Sequence, residues 1–154
     1  MKKLTTLLLA LLFLSFDAFC QTVEPEPAAI KYFSNKDGAI RGYDPVAYFT
    51  QQKAVKGTEE FKYDWSGSSW YFSSKENMEA FTKSPQKYAP QFGGYCAYGV
   101  SEDHKSPTDP SAFTIVDNKL YLNYNNKVKE LWFPKKEERI VTANKLWPAL
   151  NQSN

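Results

Sequence analysis

Two cysteines and one histidine are all that 154 residues contain. A dedicated all-Cys/His zinc site is thereby excluded in practice, since it needs four such ligands. Charge of one sign is also lacking: 19 Lys and Arg stand against 17 Asp and Glu, so a nucleic acid would find no basic footprint. No apolar run reaches the ~20 residues of a membrane-spanning helix. There is no phosphate-cradling glycine-rich loop, no nucleophile elbow and no Cys-x-x-Cys pair, which removes the common signatures of phosphoryl transfer, serine hydrolysis and dithiol redox chemistry. What the chain does have is aromatic area. Eleven Phe, ten Tyr and four Trp exclude intrinsic disorder, because disordered chains lack the apolar surface to offset chain entropy. The length suits one domain.

The first twenty residues read as an address. Lys2 and Lys3 precede an apolar run from Leu4 to Phe16, and Ala18 and Cys20 place small side chains two apart. This is the pattern of a secretory signal peptide over residues 1–20, cut after Cys20, which would deliver the chain to the periplasm or outside the cell. The competing reading makes Cys20 the acylated first residue of a lipoprotein; bulky Phe19 and acidic Asp17 fit that pattern poorly. Cleavage leaves Cys96 as the only cysteine, so the mature chain has no internal disulfide and must be held by packing. Residues 21–37, with Glu24, Pro25, Glu26 and Pro27, read as an extended linker. Residues 38–150 read as the domain and 151–154 as a tail.

Within the domain, Phe61–Phe72 alternates as a β-hairpin around Ser66-Gly67-Ser68-Ser69. A four-residue loop would set Trp65 opposite Trp70 and Tyr63 opposite Phe72. A second hairpin, Phe113–Tyr124, turns at Asp117-Asn118, where both residues tolerate positive φ; Ile115 then faces Leu120, and Phe113 faces Leu122. The matching greasy faces predict one small antiparallel sheet, extended by Val46–Phe49, with Tyr71 and Tyr121 pointing outward. Short helices cover its apolar face. Ser73 and Glu76 form a capping box that opens one of them, with Met78 and Phe81 inward, and Ser84-Pro85 closes it. Val128, Leu131 and Trp132 form an inward stripe near the C-terminus, and Ile140, Asn144 and Trp147 form a second that runs to Pro148. The fold class is α+β.

Several stretches together resemble the YHS domain family, in particular its small exported branch: Gly42-Tyr43-Asp44-Pro45-Val46-Ala47-Tyr48-Phe49, Trp70-Tyr71-Phe72-Ser73-Ser74, Ser84-Pro85-Gln86-Lys87-Tyr88, Gly93-Gly94-Tyr95-Cys96-Ala97-Tyr98-Gly99-Val100 and Leu120-Tyr121-Leu122-Asn123-Tyr124. The resemblance implies an α+β fold. The wider family includes domains attached to copper-transporting ATPases, and there three cysteines occupy the positions held here by Ala47, Ser73 and Asn77. A soft metal selects thiolate or imidazole, so the resemblance does not carry the metal role to these three positions.

The residues themselves nominate few chemical groups. Cys96, after two glycines, opens a short helix through Val100, where a thiol can be polarised toward thiolate; alternatively it is a small buried hydrophobe. His104, the lone histidine, lies in a polar stretch that reads as an exposed loop, but it could join Cys96 as a second ligand for a transition metal such as copper. Asp44 and Asp109 each precede a proline and read as turn starters, or as carboxylates converging with Arg41. The candidate ligand-binding residues are Tyr43, Asp44, Cys96 and Tyr98, and the candidate metal ligands are Cys96 and His104. No catalytic set is assembled. The expected function is a non-catalytic binding module of the cell envelope that takes a small ligand, a metal ion or an envelope protein. A thiol-based redox protein or sensor centred on Cys96 is the alternative.

Overall fold

Chain reversals with positive φ frame the computed structural model, which describes residues 29–153. The expected signal peptide, Cys20 and residues 21–28 of the expected linker lie outside those residues. A short ladder pairs β1 (Ser34–Asn35) with β2 (Gly38–Ala39). Ser66 and Gly67, at φ 49° and 74°, turn β3 (Thr58–Trp65) into β4 (Ser68–Phe72). Asp117 and Asn118, at 49° and 56°, turn β5 (Asp109–Val116) into β6 (Lys119–Asn123). In the last hairpin the predicted pairs Ile115–Leu120 and Phe113–Leu122 are observed. The β3–β4 register differs from expectation by two residues: Trp65 faces Ser68 and Tyr63 faces Trp70. A two-residue turn with both φ values positive matches the strand twist better than a four-residue loop. A shift of two keeps every side chain on its predicted face.

The three ladders are separate two-stranded sheets rather than one. The segment expected to extend a sheet is instead α1 (Ala47–Thr50). Asp44 causes this, because its Oδ1 accepts the amides of Val46 (2.8 Å) and Ala47 (3.3 Å) and so starts a helical turn after Pro45. The next helix, α2 (Lys75–Lys83), is capped by Ser74, whose hydroxyl accepts the Asn77 amide, and not by Ser73. It ends at Ser84, and Pro85 opens α3 (Pro85–Tyr88) at a first-turn position where its missing N–H costs nothing. Phe81 of α2 enters the centre of the first core, against Trp65, Trp70 and Phe72. Trp70, Phe72 and Phe81 are fully buried, and each such side chain contributes about 1.5–3 kcal/mol.

A second core lies across β6, built with α4 (Ala97–Ser101), α5 (Asn126–Trp132) and α6 (Lys136–Gln152). Leu120 and Leu122 face the first core, while Tyr121 packs between Phe92 and Trp132 in the second. The outward placement of Tyr121 is therefore corrected: helices close both faces of this strand. Tyr71 is half-buried. On α5 only Trp132 is sealed, whereas Leu131 is 60% exposed, because a seven-residue helix presents one narrow stripe to its neighbours. On α6 the inward positions are Ile140, Ala143, Trp147 and Leu150, and Asn144 is exposed. Pro148 does not end this helix. The bond it forfeits is to the Asn144 carbonyl, one turn back on the exposed face, where solvent has access to it. At the end of α6, Asn151 accepts the Lys31 amide (2.9 Å) and donates to the Ala29 carbonyl, tying the entering chain to the leaving one.

Candidate functional site

Asp44 is fully buried, and both its oxygens are used. Oδ1 holds the start of α1. Oδ2 accepts the Ser73 amide (2.8 Å), the Ser73 hydroxyl (2.7 Å) and the Asn77 side-chain amide (2.7 Å). All five partners are donors, a set that suits an ionised carboxylate, which only accepts. Ser73 and Asn77 stand at the entry of α2, so one carboxylate ties together the beginnings of two helices, where the helix dipoles favour negative charge. Ala47, Ser73 and Asn77, the three positions at which the resemblance would place thiols, all meet at Asp44. A soft metal does not fit here, because the donors are N–H and O–H groups and the one carboxylate has no unused oxygen.

Tyr43 packs at the edge of the first core with the Lys56 ammonium 5.0 Å above its ring. Cys96 and Tyr98 sit elsewhere, in the α4 region. The glycine turn before them forms as predicted: Phe92, Gly93 and Gly94 all have positive φ, and a Cβ on Gly93 would strike the Lys31 carbonyl. Cys96 caps α4, accepting the amides of Gly99 (3.5 Å) and Tyr124 (3.2 Å), and is only 2% exposed. Its sulfur also lies 3.7 Å from Oδ1 of buried Asn123, which accepts the Tyr98 amide. The Tyr98 ring is covered by the Arg139 guanidinium at 4.0 Å. His104 is exposed, folded over Gly99, with Nδ1 3.3 Å from the Glu102 carbonyl. Among the described residues no three of His, Cys, Asp and Glu gather closely enough to hold a metal ion. No hydrogen bond joins Tyr43 or Asp44 to Cys96, Tyr98 or His104 among those residues. Asp109 makes a local turn to Ser111, and Arg41 donates to the Thr108 carbonyl, so the two aspartates do not converge.

A well-formed opening among the described residues lies at none of these positions. A groove of about 820 Å³ runs between α1, α3 and the β5–β6 hairpin. Its floor is Tyr48, Phe49, Tyr88, Phe113 and Ile115, and its rim is Thr50, Gln52, Lys87 and Asn118. Two aromatic pairs set the floor, Tyr48 with Phe113 at 4.8 Å and Phe49 edge-on to Tyr88 at 5.6 Å. The Tyr48 hydroxyl donates to the Pro110 carbonyl, and burial, seconded by the nearby Tyr43, Asp109 and Asp44, pushes its pKa far above the ordinary value. Sequence reasoning missed the groove because its residues come from three distant segments. The one local hint was apolar side chains (Phe49, Tyr88) left half-buried on elements too short to cover them.

Residues 46–92 match the family model of the YHS domain. That stretch supplies Tyr48, Phe49, Thr50, Gln52, Lys87 and Tyr88 to the groove, and the β5–β6 hairpin supplies the rest. No curated protein and no solved structure matches the chain.

Proposed function

We propose that this chain, whose residues 46–92 match the family model of the YHS domain, is a non-catalytic module of the cell envelope, exported by residues 1–20, that binds a small ligand in the groove between α1, α3 and β5–β6. The observation that carries this reading is the groove itself. Its volume of about 820 Å³ falls within the ~300–1,000 Å³ of small-molecule sites, and an apolar floor under a few polar rim groups is the usual lining of such sites. A soft-metal role at positions 47, 73 and 77 lacks donors. Chemistry at Cys96 would need a sulfur that reagents can reach, and this one is sealed. Export is supported by the charged start and the apolar run from Leu4 to Phe16.

The test uses a neutral apolar probe, N-phenyl-1-naphthylamine, with the isotope-labelled mature protein. Saturable fluorescence enhancement with a dissociation constant below ~100 µM is expected, with amide shifts centred on Phe49, Tyr88 and Ile115. Absence of saturable binding, or shifts centred on Cys96 and Tyr98, would overturn the reading.

A further inference from the structure

Resting on the groove as the binding site, we infer that its ligand is an amphiphilic monoanion: a flat or extended apolar body bearing one carboxylate or sulfonate. Among the described residues, Lys87 is the only charged one that lines the groove. Its ammonium lies 5.0 Å from the centre of the Tyr88 ring, so the charge stands beside a floor residue. Among the described residues no carboxylate lies within ion-pair distance of it. A carboxylate entering the groove beside Lys87 would therefore displace no ion-paired partner among the described residues.

The floor dictates the other end of the ligand. The Tyr48 hydroxyl is committed to the Pro110 carbonyl, and Phe49, Phe113 and Ile115 have no polar side-chain atom, which leaves the Tyr88 hydroxyl as the one free polar group of the floor; a body with several polar groups would lose its water with little compensation. The neutral rim groups of Gln52 and Asn118 can hydrogen-bond a head group but add no charge. One cation above an apolar floor discriminates by charge number: a dianion would leave one charge unpaired, and a cation would face Lys87 directly.

The experiment compares two probes that share a ring skeleton, 8-anilinonaphthalene-1-sulfonate and neutral N-phenyl-1-naphthylamine. For the native protein the anion is expected to bind about three- to five-fold more tightly, the range of a partly exposed ion pair. The advantage should shrink with added salt, as screening requires. In Lys87→Gln the ratio of the two affinities should fall to about one, and in Lys87→Arg it should persist. Lys105→Gln, remote from the groove, serves as the charge-matched control and should leave the ratio as in the native protein. A ratio that survives in Lys87→Gln, or falls equally in Lys105→Gln, overturns the anion assignment while leaving the groove in place. Failure of both probes to bind overturns the groove reading and the assignment together.

Discussion

Replacing Asp44 by alanine is the most demanding test of the structure. The side chain accepts five hydrogen bonds of 2.7–3.3 Å and is fully buried. Each bond to a charged acceptor is worth about 1.5–3 kcal/mol when deleted singly. Their sum overstates the loss, because bringing the carboxylate out of water offsets much of the attraction. The better measure is what remains after deletion: three backbone amides, a hydroxyl and a carboxamide facing a void, with the starts of α1 and α2 untied. We expect a loss of about 3–5 kcal/mol, the size seen when a buried charge is separated from its partners. Urea unfolding followed by tryptophan fluorescence reads this as a lower midpoint at unchanged slope. Asp44→Asn should fall between, since an amide oxygen can still serve Val46 and Ala47 while its NH₂ opposes the Ser73 amide and the Asn77 side chain. The decisive measurement is the double-mutant cycle with Asn77→Ala, where a coupling of about 1–3 kcal/mol is expected. A cost under about 1 kcal/mol for Asp44→Ala, or zero coupling to Asn77, would refute the carboxylate as the tie between the two helices.

Cys96 should resist maleimide in the native protein and react fully once denatured, because its sulfur is sealed under the amides of Gly99 and Tyr124; rapid native labelling would contradict its burial. On α5, Trp132→Ala is expected to cost about 3–5 kcal/mol, while Leu131→Ala should stay within about 0.5 kcal/mol, and similar losses at both sites would refute the helix orientation. Burial raises the Tyr48 phenol well above its ordinary pKa of 10.0 and pushes Tyr32 up to about 12. A raised folded-state value means the contribution is whole below pH ~10, where the unfolded phenols are also protonated. It is lost as pH climbs from there through the folded values, at about 1.4 kcal/mol per pH unit for a phenol that ionises only when unfolded. Denaturant midpoints measured from pH 9 to 12 should fall, and a Tyr48→Phe variant should show a shallower fall; a flat profile would contradict the tyrosine environments.

Legibility followed the range of the interactions involved. Asp117-Asn118 announces its own turn, because two residues that tolerate positive φ between alternating strands leave few other conformations, and the register of β5–β6 follows from that pair alone. At Ser66–Ser69 four turn-forming residues compete, and only the paired strands select Ser66-Gly67. The aspartate before Pro45 was recognisable as a turn former. That its second oxygen would gather Ser73 and Asn77, 29 and 33 residues along, was not, because nothing local in a chain records which donor will arrive from another segment. Cys96 as the cap of a short helix was readable from Gly93-Gly94; its closure beneath the Tyr124 amide needed the β6 strand to be in place.

By itself the amino-acid order determined the α+β class, the positions of the hairpins and the stop at Ser84-Pro85, since these depend on residues within a few positions of one another. Tertiary structure alone decided that Tyr121 points into a second core, that Leu131 faces water beside a buried Trp132, and that α1, α3 and a distant hairpin leave a groove between them. Those outcomes depend on which faces meet, and a face acquires a neighbour only when segments far apart in the chain are packed against each other.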